Sequence, residues 1–185
     1  MAASIREHRK SCALLELLER FPGKLLVFTD FLPTMRHLQR AVSRAGHAVE
    51  VFHGGMTQRE RDDAIRRFRD GSRVMVSTQS GGEGHNLQFC HLLVNYDLPW
   101  NPMKVEQRIG RVDRLGSLTS RLREADPTQK LHILYPAICS TIDDRLYRTV
   151  KLREKWLEFL LGAQPQFEGF TFADDIPAAL PSRLA

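Results

Sequence analysis

Pro22-Gly23-Lys24-Leu25-Leu26-Val27-Phe28-Thr29-Asp30 is the stretch on which the fold turns. A Pro-Gly break opens it, four apolar residues follow without alternation, and a polar Thr-Asp pair closes it. A half-exposed strand alternates apolar and polar side chains. An unbroken Leu-Leu-Val-Phe run instead fits a strand covered on both faces, as parallel sheets are. Four further runs repeat the form: 48–52, ended by Gly54-Gly55; 74–76, ended by Ser77-Thr78; 92–94; and 131–135.

Helical patterns lie between these runs. Residues 34–45 carry Met35, Leu38, Ala41 and Val42 at helical spacing. Thr57 and Glu60 have the spacing of a capping box, ahead of a charged helix with an apolar stripe of Ala64, Ile65 and Phe68 and a stop at Gly71. Pro102 opens a helix expected over 103–115. The order strand, helix, strand, helix, strand, turn, strand, helix, strand predicts an α/β fold, a doubly wound and mainly parallel sheet of about five strands flanked by helices. Two additions flank it: a leading amphipathic helix within residues 1–20, read from residue 5, and a long closing helix over 141–162. The central lobe then covers 21–140, and 163–185 form a tail with Pro165, Pro177 and Pro181 beside Phe167, Phe170 and Phe172.

Composition narrows the class. The chain has 185 residues, 42% of them hydrophobic, which suffices for a core. A net charge of +5 and a pI near 9.4 favour an anionic partner, with nucleic acid the usual one; a mildly basic soluble protein fits the charge equally. Cys12, Cys90 and Cys139 are scattered beside apolar residues and read as buried thiols, and the seven histidines show no ligand spacing, so no metal site is expected. No signal peptide or membrane span is read from the sequence, and a soluble, cytoplasmic, nucleoid-associated protein is expected.

Ligands of open α/β sheets gather at the carboxyl ends of the strands. Thr29-Asp30-Phe31, His53-Gly54-Gly55 and the stretch 77–86 all follow strands, which marks one edge as the ligand edge. In Gln107-Arg108-Ile109-Gly110-Arg111-Val112-Asp113-Arg114, two arginines stand three residues apart behind a glycine. Two guanidiniums on one helical face can clamp a phosphate. In STQSGGEGHNL, residues 77–87, Gly81, Gly82 and Gly84 permit close backbone approach to a phosphate or a neighbouring domain, and a merely tight loop fits the same glycines.

These motifs together resemble the second RecA-like lobe of superfamily 2 helicases, the helicase C-terminal domain, close to the Swi/Snf group of DNA translocases. The similarity is greatest to the bacterial branch that includes the RNA-polymerase-recycling ATPase and phage-defence helicases. It covers about residues 20–160. LLVFTDF at 25–31 matches motif IV, and VFHGGM with Arg61 and Phe68 matches the segment after it. STQSGGEGHNL matches motif V, and NYDLPWNPMKVEQRIGRVDRLGS at 95–117 matches the approach to motif VI and motif VI itself.

The resemblance implies roles. Arg111 and Arg114 become the arginine fingers that reach the γ-phosphate of ATP, with Arg114 the better candidate. Gln107, Gly110, Gly84 and Asn86 fall on the nucleotide side. Thr29, Asp30, Gly54, Gly55 and Thr78 fall on the nucleic-acid side, where Thr29 and Asp30 contact the DNA backbone or order contacts to it. A strand-end turn and a helix cap explain Asp30 and Gly54 as well. Trp100 and Asn101 brace the motif VI helix or belong to the core. Arg59, Arg61, Arg66, Arg67 and Arg69 form either a DNA-facing stripe or a solvated face.

Departures from the pattern bear on activity. His85 and Gln79 are unusual within motif V. No phosphate-binding loop is present: the single Gly-Lys pair, Gly23-Lys24, is followed by Leu25, and Leu18 stands where the first glycine belongs. No Asp-Glu pair occurs either. The implied partners are therefore DNA, mainly through its phosphates, and an N-terminal P-loop lobe, in cis or in trans, that holds the magnesium of ATP. The chain alone is expected to be inactive. The alternative is a non-catalytic module that binds nucleic acid or protein through a RecA-like surface.

Overall fold

A computed structural model describes residues 9–78, 87, 89–90, 92–99, 102–110, 112, 132–136, 145 and 148. The elements are α1 (Arg9–Arg20), β1 (Leu25–Thr29), α2 (Leu32–Arg44), β2 (Val49–Phe52), α3 (Gln58–Asp70), β3 (Val74–Thr78), β4 (Leu92–Asn95), α4 (Pro102–Ile109) and β5 (His132–Leu134). The strands form one sheet in the order β2-β3-β1-β4-β5, and each ladder is parallel. The doubly wound α/β architecture is the one expected.

Two cores explain the unbroken apolar runs. Leu25, Val27, Val74, Val76, Leu92 and Val94 face one layer with Leu14, Leu17 and Leu18 of α1 and Met35, Leu38 and Val42 of α2. Leu26, Phe28, Met75 and Leu93 face the other with Ala64, Ile65 and Phe68 of α3 and Val105 and Ile109 of α4. Every residue of β1 is buried, so both parities must be apolar. The leading helix is packed into the first of these cores.

The helix ends have identifiable chemistry. Thr57 and Glu60 form the expected capping box: the Glu60 N–H donates to Thr57 Oγ1 at 3.3 Å and the Thr57 N–H to Glu60 Oε2 at 2.7 Å. Gly46 closes α2 at φ 84°, with its N–H donating to Ser43 O and that of His47 to Val42 O. This is a Schellman closure that needs a residue in the left-handed region. Gly71 ends α3 as expected but at φ −146°, so it uses no conformation reserved for glycine. Lys24 Nζ donates to Phe68 O and Ser72 O at 2.6 and 3.1 Å, and Arg73 donates to Leu18 O and Phe21 O. Both place a cation where helix carbonyls lack partners.

Some boundaries differ from expectation. α2 starts at Leu32 because Pro33 fits the first turn of a helix, where its missing N–H has no partner to lose. α1 is described from Arg9, and the part of the leading helix expected before it lies outside the described residues. The helix expected over 103–115 is described only as Pro102–Ile109, and Gly110 and Val112 lie in a turn in which Val112 N–H donates to Ile109 O at 2.9 Å. Glycine in a helix interior costs about 1 kcal/mol relative to alanine, which makes Gly110 a natural break. The closing helix falls outside the described residues apart from Arg145 and Arg148, which are helical, and the tail from 163 falls outside them entirely.

Candidate functional site

The sheet order fixes where a ligand edge should be. From β1 the chain moves outward to β2, whereas from β4 it moves the other way to β5, so the topological switch point lies between β1 and its neighbour β4. Thr29 and Asp30 leave β1 there, and Asn95, Tyr96 and Asp97 leave β4. Register ties the two ends together: Phe28 pairs with Asn95, and the Tyr96 N–H donates to Phe28 O at 2.8 Å. On the other side of β1, Thr29 pairs with Thr78.

At this switch point stands a residue to which the sequence reading gave no role, Arg108 of α4. It is 1% exposed, the largest fully buried side chain of the described residues. One arm of its guanidinium donates to Asn95 Oδ1 at 2.8 Å and to the Asp97 carbonyl at 3.3 Å. The other donates to Asp30 Oδ1 at 2.7 Å. Its plane lies 5.2 Å from the centre of the Phe28 ring. Burial lowers the Arg108 pKa from its ordinary value, and Asp30, then Asp97, oppose that by charge. A guanidinium suits the position because its rigid fork reaches two strand ends at once.

Asp97 completes the arrangement. Its carboxylate accepts from the Thr29 hydroxyl and, at 3.3 Å, from the Asp30 N–H. The Phe31 N–H turns back to Thr29 Oγ1 at 3.3 Å. Thr29 is fully buried, and its hydroxyl and the Asp30 N–H and carboxylate are all engaged within the lobe. These contacts hold Thr29 and Asp30 in a defined turn at the end of β1, with Asp30 exposed at the surface. Asn95 Nδ2 and Arg108 Nε are buried without a hydrogen-bond partner among the described residues.

The other candidate residues fall into described and undescribed parts of the chain. Gln107, next to the buried Arg108, is exposed, and Gly110 is half-buried in the turn after α4. Gly54 and Gly55 are exposed beyond β2, where Arg61 donates to Gly54 O at 2.7 Å. A Cβ on Gly55 would meet His53 Nδ1 at 3.3 Å, tighter than ordinary contact. Thr78 is buried at the end of β3. Gly84, Asn86, Trp100, Asn101, Arg111 and Arg114 lie outside the described residues. Phe31, which also received no role, is 60% exposed at this edge.

Four of the five arginines of α3 make contacts within the lobe. Arg66 pairs with Asp63, Arg67 with Glu50 at 2.8 Å, Arg61 with the Gly54 carbonyl, and Arg69 lies over Phe89 at 5.4 Å. The Glu50 hydrogen bond, then its charge, raises the Arg67 pKa. Cys90 is buried, Cys12 is half-buried, and Cys139 lies outside the described residues. Among the described residues no group of three His, Cys, Asp or Glu side chains could hold a metal, and no helix is long and apolar enough to cross a membrane.

Comparison with known proteins now decides the family. The model of the helicase conserved C-terminal domain matches residues 9–116, from α1 through α4. The chain belongs to this family. Its relatives are Swi/Snf-like superfamily 2 helicases. It is 36% identical over 155 residues to an uncharacterized ATP-dependent helicase, YqhH, of Bacillus subtilis, covering 82% of this chain and 26% of that protein. It is 43% identical over 99 residues to the RNA polymerase-associated protein RapA of Vibrio atlanticus, covering 51% of this chain and 10% of RapA. The helicase lobe thus spans about a quarter or less of the length of these relatives. The fold recurs in the C-terminal part of the Fun30 ATPase domain, with TM-score 0.66, 20% identity, and coverage of 76% of this chain and 44% of that one. It recurs also in the C-terminal domain of the DEAD-box protein Dbp5, with TM-score 0.65, 24% identity, and coverage of 89% and 83%.

Proposed function

We propose that this lobe is the second half of an ATP-dependent DNA translocase, closing on a P-loop lobe with ATP between them. In this reading Arg111 and Arg114 are the fingers that reach the γ-phosphate, with Arg114 the principal one. Gln107 and Gly110, together with Gly84 and Asn86, line the nucleotide side. The exposed amide of Gln107 suits a polar group of a nucleotide or of the opposite lobe. Arg108 is unsuited to be a finger, because its guanidinium is buried and engaged by Asp30 and Asn95. The phosphates and magnesium fall to the P-loop lobe. ATP, when bound there, supplies the free energy that a cycle of closure and release uses.

Nucleic acid runs along the carboxyl edge in this account. The exposed Gly54-Gly55 turn and the backbone beside Thr78 approach phosphates, and the Thr29–Asp30 loop, held by Asp97 and Arg108, sets their spacing. Contacts of this kind give little sequence preference and strong salt dependence. The lobe by itself does not hydrolyse ATP.

The observation that carries the reading is the arrangement on α4: an exposed Gln107 beside a buried Arg108 at the switch point, directly before the Gly110 turn that leads into Arg111. The test is DNA-stimulated ATP turnover by the intact protein that carries this lobe. Arg114→Ala should lower the turnover by about a thousandfold, the usual order for a finger, while salt-sensitive DNA binding persists. Turnover that survives Arg114→Ala would favour the non-catalytic binding module instead.

A further inference from the structure

The buried contacts of Arg108 join two parts of the lobe that the proposed function treats separately. α4 leads into the nucleotide-side segment, and the Thr29–Asp30 loop belongs to the nucleic-acid side. Arg108 holds both at once, through Asp30 at 2.7 Å and through Asn95 and Asp97 at 2.8 and 3.3 Å. Asp97 in turn accepts from Thr29 and from the Asp30 N–H. Beside the loop's own contact from the Phe31 N–H to Thr29 Oγ1, the groups that fix its shape are held by α4 and by the end of β4. A displacement of the loop that breaks the Asp30 contact leaves a guanidinium at 1% exposure with one carboxylate fewer. Truncating one partner of a buried hydrogen-bonded charge pair is strongly unfavourable, which makes a concerted shift of loop and helix easier than an independent one.

We infer that the Arg108–Asp30 pair is a positioning device that couples nucleic-acid engagement at the β1 edge to the placement of the ATP-facing segment after α4. The inference rests on the proposed function, and a coupling measurement separates the two. In the intact protein, DNA affinity is measured with and without a non-hydrolysable ATP analogue, and the ratio of the two affinities is the coupling factor. Such factors are typically about 5–150-fold. Loss of a direct DNA contact weakens both arms equally and leaves the ratio unchanged, whereas loss of coupling moves the ratio toward one.

Asp30→Asn keeps the shape of the side chain, itself 27% exposed, and removes its charge. It is expected to bring the ratio to within about twofold of one, below the range quoted for coupled sites. Asp30→Glu, which retains the charge where there is access to solvent, is expected to restore most of the ratio. Where Asp30→Asn does not fold, Arg108→Lys makes the same comparison, because a single ammonium cannot fork to Asp30 and Asn95 together. A wild-type ratio well above one that Asp30→Asn and Arg108→Lys leave intact overturns the inference and spares the proposed function. A wild-type ratio of one, with DNA and nucleotide both bound, overturns the proposed closure and the inference with it.

Discussion

Replacing Arg108 by methionine isolates the energetic content of the buried cluster. Methionine keeps an unbranched apolar stem but lacks the volume of the guanidinium, so a cavity term adds to the lost polar contacts. Asn95 is fully buried and loses its 2.8 Å donor, leaving an orphan acceptor that costs about 1–3 kcal/mol. The Asp30 side chain is 27% exposed and regains water, so the loss there is that of a partly exposed pair, about 1 kcal/mol or less. The guanidinium over Phe28 at 5.2 Å contributes about 0.5–1 kcal/mol, part of which a thioether restores. Against these stands relief from burying a charge, the effect that lowers the Arg108 pKa. The net expectation for Arg108→Met is a destabilisation of about 2 kcal/mol. Urea denaturation reads it as a lower midpoint at unchanged slope. Adding Asn95→Leu removes the orphan acceptor and should recover about half of the loss. A neutral Arg108→Met, or a double variant no more stable than the single one, refutes the reasoning.

Further expectations follow from other parts of the lobe. Phe31 occupies the N-cap of α2 in extended geometry, offers no side-chain cap bond and is 60% exposed; Phe31→Ser should stabilise the protein by about 1 kcal/mol in the same denaturation assay. Gly46→Ala should cost about 1 kcal/mol from its φ of 84° alone, since no atom lies within 4 Å of the new Cβ. Gly71→Ala, with its nearest contact at 3.8 Å and a negative φ, should be tolerated within about 0.5 kcal/mol. The backbone N–H of Thr57, then its hydroxyl, holds the Glu60 pKa below its ordinary 4.5. The capping box therefore contributes stability that is present above about pH 4.5 and lost as pH falls through the lower folded value, and Thr57→Val, which removes the hydroxyl and keeps the N–H, should reduce that acid limb in part in pH-dependent melting.

The fold was legible because its strands are buried on both faces. Runs such as Leu25-Leu26-Val27-Phe28 carry that fact in their composition, and the helices between them show their own period. The capping box was legible because its two residues act on one another at fixed spacing. The end of α4 was less so, since an apolar pattern continues through Val112 while Gly110 turns the chain. The Arg108 cluster was not read, although its signal was present. Val105 and Ile109 form the buried stripe of α4, buried Val112 follows beyond the Gly110 turn, and Arg108 lies in the stripe three residues from Val105. A charged residue inside an apolar stripe calls for a buried partner. Which partner cannot be read from spacing, because Asp30 lies 78 residues away and meets Arg108 only through the β1–β4 register. The arginines of α3 show the reverse case: in a basic run, Arg67 meets Glu50, Arg66 meets Asp63 and Arg61 meets a carbonyl once the helix is docked.

The most direct test of the central claim is complementation of ATP hydrolysis. A purified P-loop lobe from the same protein is assayed with DNA alone, with this chain added, and with the Arg114→Ala chain added. The account predicts turnover only when the unaltered chain is present, with a loss of about a thousandfold for Arg114→Ala. Equal turnover with the unaltered and Arg114→Ala chains, or turnover by the P-loop lobe that this chain does not raise, would contradict it.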